Sequence, residues 1–419
     1  MNKSVSETDA EIDRELRNRL HEFGITRLAD TTGLDRVGIP THSCVKPGTA
    51  DVIWVYSGKG LTPEQSRIGA IMECIERTSA LWNPARFFLA PHPSRSEQGD
   101  FWIPERFTER LRPCESNKPL VWVEASDLQN GRKVYVPADL VFTGRRPTLN
   151  ADRSFAVTTS NGLAAGFSRE QAIEHALAEV VERDAVSCAE LRSSHFGVSF
   201  LGTIARLIGS DDGRVAEAFC DDLDYAETLD QSNLPPSAAA LYERYRAASL
   251  ELVIKRIPND LDIPVFGASV MESMGFDDIL ATAGYGAHLD PEIALTKCLL
   301  EVAQSRATDR QGAREDCFDE EKKRLSQAPN SHWLAIPGSR KTAFSELSWS
   351  PERKSVRVEE YLERLATRGL RDVAVVDFDA YPGIHVVRVL VPGIETWHAT
   401  AGDSRLGPRM SALFFPAVA

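Results

Sequence analysis

Apolar and polar residues alternate with two different periods along this chain, and the switches between them mark its elements. The first twenty residues, MNKSVSETDAEIDRELRNRL, carry apolar positions spaced as on a polar amphipathic helix. Residues 31–60 read as loop and strand, with a turn near Lys46-Pro47-Gly48. Residues 121–142 alternate apolar and polar around Asn130-Gly131, which predicts a hairpin. A helix is expected over 237–248, and LELVIKRI and PVFGASVMES read as strands. VEEYLERLATRGL predicts an amphipathic helix stopped at Gly369. DVAVVDFD and IHVVRVLVPG predict a strand pair turned at Tyr381-Pro382-Gly383. Residues 209–236 and 308–345 are charged and are expected on the surface. Hairpins and strand-to-helix links mixed in one chain point to an α+β or mixed α/β domain.

One pattern occurs three times. A strand-like run meets a glycine-bearing loop and then a helix with acidic or amide residues three apart. The stretches are VIWVYSGKGLTPEQSRIGAIMECIERTSA (52–80), VTTSNGLAAGFSREQAIEHALAEVVERDA (157–185) and LATAGYGAHLDPEIALTKCLLEVAQSRA (280–307). Each helix has a clear start. Thr62 caps the first ahead of Pro63, and the helix is expected to run to about Trp82. Ser168 and Gln171 form a capping box, and Asp290 caps ahead of Pro291. A glycine loop feeding a helix N-terminus offers backbone N–H groups to an anion.

These starts place the inner side chains. Ser66, Glu73 and Glu76 fall within about a quarter-turn of one stripe at about 100° per residue. Glu179 and Glu182 pair in the second helix, followed by Arg183, and Glu301 and Gln304 pair in the third, with Arg306 two further on. Their neighbours are apolar, and buried carboxylates need partners. A single such pair is usually a surface ion pair, but three aligned instances argue for a shared role. Carboxylate and amide oxygens without Glu-x-x-His spacing favour Mg²⁺ or Ca²⁺ over iron or zinc. Arg77 and Arg183 could grip phosphate oxygens or pair with adjacent carboxylates. Lys59 in Ser57-Gly58-Lys59-Gly60 is not a P-loop lysine, since GxxxxGK[ST] is absent. Cys74 and Cys298 sit among apolar neighbours and read as core.

Composition narrows the partners. The 419 residues are 42% hydrophobic and 26% charged, an ordinary globular balance. A net charge of −13 argues against nucleic acid. No stretch has the apolar length of a membrane span, and no signal core opens the chain. Seven scattered cysteines without CxxC suggest a reducing, cytoplasmic setting.

Ser66-x6-Glu73-x2-Glu76-Arg77, the loop Ser160–Gly166 with Glu179-x2-Glu182-Arg183, and Glu301-x2-Gln304-x-Arg306 together resemble the YcaO family. The match runs over about residues 50–395 and includes Val391-Pro392-Gly393. The resemblance implies one large α+β domain of mixed sheet and helices, with ATP and Mg²⁺ held between helices. It divides the chain into an extension (1–50), the domain (50–395) and a tail (396–419). It implies ATP-dependent O-phosphorylation of a peptide backbone amide, which a nucleophile then attacks. By the same resemblance Glu73, Glu76, Glu179, Glu182, Glu301 and Gln304 hold Mg²⁺. Ser66, Arg77, Arg183 and Arg306 touch nucleotide or phosphate. The segment from Gly24 to Pro40 resembles members that act with a TfuA-like partner to make thioamides, which adds Arg27 and Lys59 to the nucleotide site. A peptide or protein substrate, a sulfur donor and a homodimer are expected.

Two departures stand out. Phe167 replaces the asparagine many relatives carry, and Gln171 replaces a glutamate. The chain ends Phe415-Pro416-Ala417-Val418-Ala419 without a Pro-x-Pro-x-Pro tail, and no fused leader-binding domain is evident. Thioamide formation is therefore expected ahead of azoline formation on Cys, Ser or Thr. A non-catalytic scaffold with structural ion pairs is the third reading.

Overall fold

The alternating run over residues 27–59 forms three short antiparallel strands: β1 (Arg27–Asp30), β2 (Thr41–Val45) and β3 (Val55–Lys59). Arg27 lies opposite Val45, and Thr41 opposite Lys59. The computed structural model describes residues 5–93, 100–108, 118–149, 151, 156, 159–193, 223–275, 278–314, 333–349, 357–396 and 407–414. Parts of the charged stretches at 209–236 and 308–345 lie outside these residues. The fold is α+β, and its contacts divide into two compact units. The first takes Met1–Thr78, Glu227–Arg256 and Pro264–Ser348; the second takes Ser79–Ala226, Ile257–Ile263 and Trp349–Ala419.

The first unit contains the three-stranded sheet and a five-stranded sheet. The larger sheet has the order β11 (Asp278–Ala287), β10 (Val265–Gly275), β9 (Leu252–Arg256), β8 (Glu227–Asp230), β12 (Lys341–Ala343). Its last pair is parallel and the others antiparallel. Its helices are α1 (Val5–Asn18), α2 (Pro63–Ser79), α4 (Pro236–Ala247) and α5 (Pro291–Gln311). α5 packs on β10 and β11. Buried Tyr245 of α4 donates to Leu299 O of α5 at 2.7 Å.

Glycine is what lets strand meet helix here. A Cβ on Gly58 of β3 would lie 2.1 Å from Ala70 N and 2.2 Å from Ser66 O of α2. One on Gly284 of β11 would lie 2.4 Å from Val302 N of α5. These two glycines of the repeated pattern thus sit in strands and serve close backbone packing. Because the opposing atoms are helix backbone, Gly284→Ala is expected to cost about 3 kcal/mol. Chemical denaturation measures this, and an unchanged midpoint would contradict it.

The second unit is built on a sheet ordered β4 (Phe87–Ala90), β5 (Leu120–Asp127), β13 (Ala374–Phe378), β14 (His385–Leu390), β7 (Leu163–Gly166). β6 (Lys133–Pro137) pairs with β5 through the expected hairpin, where Gly131 has φ +71°. Gly383, at the expected turn between β13 and β14, has φ +78°. α3 (Arg169–Ser193) packs on β7 and β14, and α6 (Arg357–Thr367) packs on α3. The short α7 (Pro408–Phe414) also packs on α3.

The α7 start is held by one carboxylate. Fully buried Glu395 accepts from the backbone N–H of Gly407, Arg409 and Met410 at 3.0, 2.9 and 3.0 Å. Arg409 in turn forks onto Asp184, both contacts being 2.8 Å. Burial, with the nearby Asp184 charge adding to it, pushes the Glu395 carboxyl from 4.5 up to about 7. A raised folded-state value means its stability is complete below about 4.5 and is lost as pH rises through about 7. The full span is worth about 3 kcal/mol. Glu395→Gln is expected to flatten that decline between about pH 4.5 and about 7, read by melting temperature; an equally steep decline would contradict this.

The expected helix starts are all present. Gln65 N donates to Thr62 Oγ1 at 3.3 Å, Gln171 N to Ser168 Oγ at 3.1 Å, and Glu292 N to Asp290 Oδ1 at 2.9 Å. The returning arm of the Ser168 box reaches Phe167 N, one residue early, at 2.8 Å. Gln65 does the same to Leu61 N at 2.9 Å. The first helix ends at Ser79 rather than Trp82, whose ring instead packs against Phe87 and Phe142.

Candidate functional site

Two of the three acidic helices converge on β3 within the first unit. Glu73 of α2 accepts the backbone N–H of Ser57 at 2.8 Å. Gln304 of α5 donates its amide to the carbonyl of the same Ser57 at 2.6 Å. Two residues along β3, Lys59 Nζ meets Glu301 Oε2 of α5 at 2.6 Å, and the other Glu301 oxygen lies 3.5 Å from Tyr285 N. Glu76 is half-buried one turn beyond Glu73. Burial raises the proton affinity of the Glu73 carboxyl, opposed by the charges of Arg314 and Arg77. A carboxylate in that state gains from a nearby cation.

Ser66 is buried, with its hydroxyl donating to Pro63 O at 3.0 Å and lying 2.7 Å from His42 Nδ1. Burial lowers the basicity of His42. Arg77 forks onto the buried Asp51 carboxylate, both contacts at 2.9 Å. Arg306 forks onto Asp35 and is fully buried. Arg27 is exposed at the start of β1.

The second unit carries the remaining acidic pair. Arg183 Nη2 lies 3.8 Å from Glu179 and 3.9 Å from Glu182 on α3, looser than a hydrogen bond. Glu182 is the more buried of the two carboxylates. In the loop before β7, the Asn161 side-chain oxygen is buried and has no hydrogen-bond partner.

Comparison with known proteins decides the family. The model described as YcaO cyclodehydratase, ATP- and Mg²⁺-binding, matches residues 57–395. A protein of Methanothermobacter thermautotrophicus is 33% identical over 401 residues, covering 94% of this chain and 95% of its own. The chain belongs to the YcaO family. A protein encoded in the tfuA 3′ region of Rhizobium leguminosarum bv. trifolii is 28% identical over 402 residues, with 93% and 88% of the two chains covered. The solved YcaO of Methanopyrus kandleri, bound with AMPPCP and Mg²⁺, shares 26% identity at a TM-score of 0.68, over 96% of this chain and 94% of that one.

The residues fit what a YcaO protein binds. The acidic side chains offer hard oxygen donors of the kind Mg²⁺ takes. Lys59 already sets a cation against Glu301, and Glu73 is held where a positive charge is favoured. Gln304, with its amide nitrogen committed to Ser57, has its oxygen as the remaining donor atom. Among the described residues, no group of three or more His, Cys, Asp or Glu side chains is gathered tightly enough to hold a metal on its own. Among the described residues, too, no helix is long and apolar enough to cross a membrane.

Sequence reasoning missed the partners. Asp35, Asp51 and Glu272 engage the arginines, His42 contacts Ser66, and the backbone of Ser57 joins α2 to α5. Asp35 lies inside the quoted Gly24–Pro40 segment, where an acidic residue flanked by Leu34 and Arg36 was a signal in plain view.

Proposed function

We propose that this chain uses ATP and Mg²⁺ to phosphorylate the oxygen of a peptide backbone amide, and that an external sulfur nucleophile then converts the amide to a thioamide. The observation that carries the reading is the meeting of Glu73, Gln304, Lys59 and Glu301 at β3. Glu73, Glu76, Glu301 and Gln304 are proposed as Mg²⁺ ligands in the first unit. On α3, Glu179 and Glu182 are proposed as ligands and Arg183 as a phosphate contact. Ser66, Lys59, Arg27 and Arg77 are proposed at the nucleotide, with Arg77 already oriented by Asp51.

An amide oxygen is a poor leaving group, and the γ-phosphoryl makes it a good one. Sulfide adds to the carbon, phosphate departs with the oxygen, and C=S remains. Bound Mg²⁺ would neutralise charge on the transferred phosphoryl. The protein's share is to position the groups and stabilise charge. Lys59, linked to Glu301, is placed to exchange a carboxylate for a phosphate oxygen. A TfuA-like partner accords with the Rhizobium relative's setting in a tfuA 3′ region, and the thioamide reading adds a sulfur donor. A homodimer and a cytoplasmic location belong to the same reading.

The test combines the protein, a TfuA-like partner, ATP, Mg²⁺ and sulfide with peptides encoded beside it. Mass spectrometry should show oxygen replaced by sulfur, with one ATP consumed per thioamide. Loss of water instead would assign azoline formation, and no change with no ATP use would leave a scaffold.

A further inference from the structure

Arg306 sits on the face of α5 turned away from the acidic residues. It follows Glu301 by five positions and Gln304 by two, so it lies about 140° and 160° round the helix from them. Its side chain is 0% exposed. Nε and Nη2 fork onto the two Asp35 oxygens at 2.7 and 3.0 Å, and Nη2 also meets Glu272 Oε2 at 3.1 Å. Arg310, one turn on, reaches Asp35 at 3.4 Å and Glu272 at 2.8 Å. Arg36 closes the cluster on the second Glu272 oxygen at 2.9 Å.

The anchors come from different elements. Asp35 ends the turn between β1 and β2, and Glu272 lies on β10. α5 is thereby tied to both sheets of the first unit on one face, while Glu301 and Gln304 reach β3 from the other. A group lining a nucleotide cleft is wetted before ligand arrives, and Arg306 is sealed from solvent. Breaking a buried pair to reach a phosphate would leave the Asp35 carboxylate with only the looser Arg310 ion pair at 3.4 Å. The planar fork suits a carboxylate in a way that a lysine ammonium does not.

We propose that Arg306 is a positioning residue, which fixes the rotation and height of α5 through Asp35 and Glu272 so that Glu301 and Gln304 are presented to a metal-bound nucleotide. This rests on the ATP–Mg²⁺ reading above. It removes Arg306 from direct nucleotide contact and gives Asp35, 271 residues away in sequence, a share in metal affinity.

Calorimetry of AMPPCP binding across a Mg²⁺ series tests it on wild type, Arg306→Lys, Asp35→Asn and the double variant. The Mg²⁺ needed for half-saturation should rise about tenfold in each single variant. The double should be no worse than the singles, because both break one linkage. Nucleotide affinity at saturating Mg²⁺ should stay within about twofold of wild type. If Arg306→Lys weakens binding at saturating Mg²⁺ while Asp35→Asn does not, the arginine touches nucleotide and the proposal fails. It fails equally if melting temperatures drop with the Mg²⁺ requirement unchanged, which is a merely structural role. Should Arg306→Lys not fold, Asp35→Asn and the milder Glu272→Gln carry the same measurement. Wild type that binds no AMPPCP with Mg²⁺ would overturn the underlying functional reading, whereas normal wild-type binding with unaffected variants would overturn the positioning role alone.

Discussion

Glu301→Gln is expected to lower Mg²⁺-dependent ATP turnover about 100-fold or more while leaving the fold intact. Glutamine has the same shape and keeps an oxygen for the Tyr285 N–H, so packing on α5 changes little. What is lost is the negative charge that lies 2.6 Å from Lys59 and that would face the metal. Half-burial makes the loss larger than at the surface, because water replaces the missing charge poorly. Steady-state hydrolysis across a Mg²⁺ series, with circular dichroism as the folding control, provides the check. Turnover within about threefold of wild type would remove Glu301 from the metal site.

Asp51→Ala should be the most damaging of the charge changes for stability. Its carboxylate is fully buried, forks onto Arg77, accepts the Tyr56 hydroxyl at 3.2 Å and takes the Val52 N–H at 2.7 Å. Removing it takes the carboxylate fork from an arginine that is only 15% exposed, which costs about 3–5 kcal/mol. The last turn of α2, next to Glu73 and Glu76, loses its tether as well. Urea denaturation measures the loss, and a change below about 1 kcal/mol would mean that the pair is a surface-like contact.

The helices were legible because each begins with a local signal. Thr62-Pro63, Ser168 and Asp290-Pro291 state their starts in two or three residues, and the 3.6-residue period does the rest. The hairpin at Asn130-Gly131 and the turn at Gly383 were legible for the same reason, since both need a positive φ. The partners of the arginines were not. Arg77 finds Asp51 across 26 residues, and Arg306 finds Asp35 across 271. Whether an arginine meets phosphate or a carboxylate depends on which segment folds against it, which no spacing along one helix encodes. The parallel pairing of β8 with β12 and the weaving of three separate stretches into each unit are long-range in the same way. The glycines were visible as a pattern, but their closeness to α2 and α5 backbone needed the packed strand to be seen.

The most direct test of the account is calorimetry of AMPPCP binding to the intact protein with and without Mg²⁺, repeated in two buffers of different ionisation heat. Carboxyls such as Glu73, whose proton affinity burial raises, should release protons when the metal enters. The account predicts binding that requires Mg²⁺, with an enthalpy that differs between the buffers. Nucleotide binding of equal strength without Mg²⁺, or no binding at all, would contradict a metal–nucleotide site built on these carboxylates.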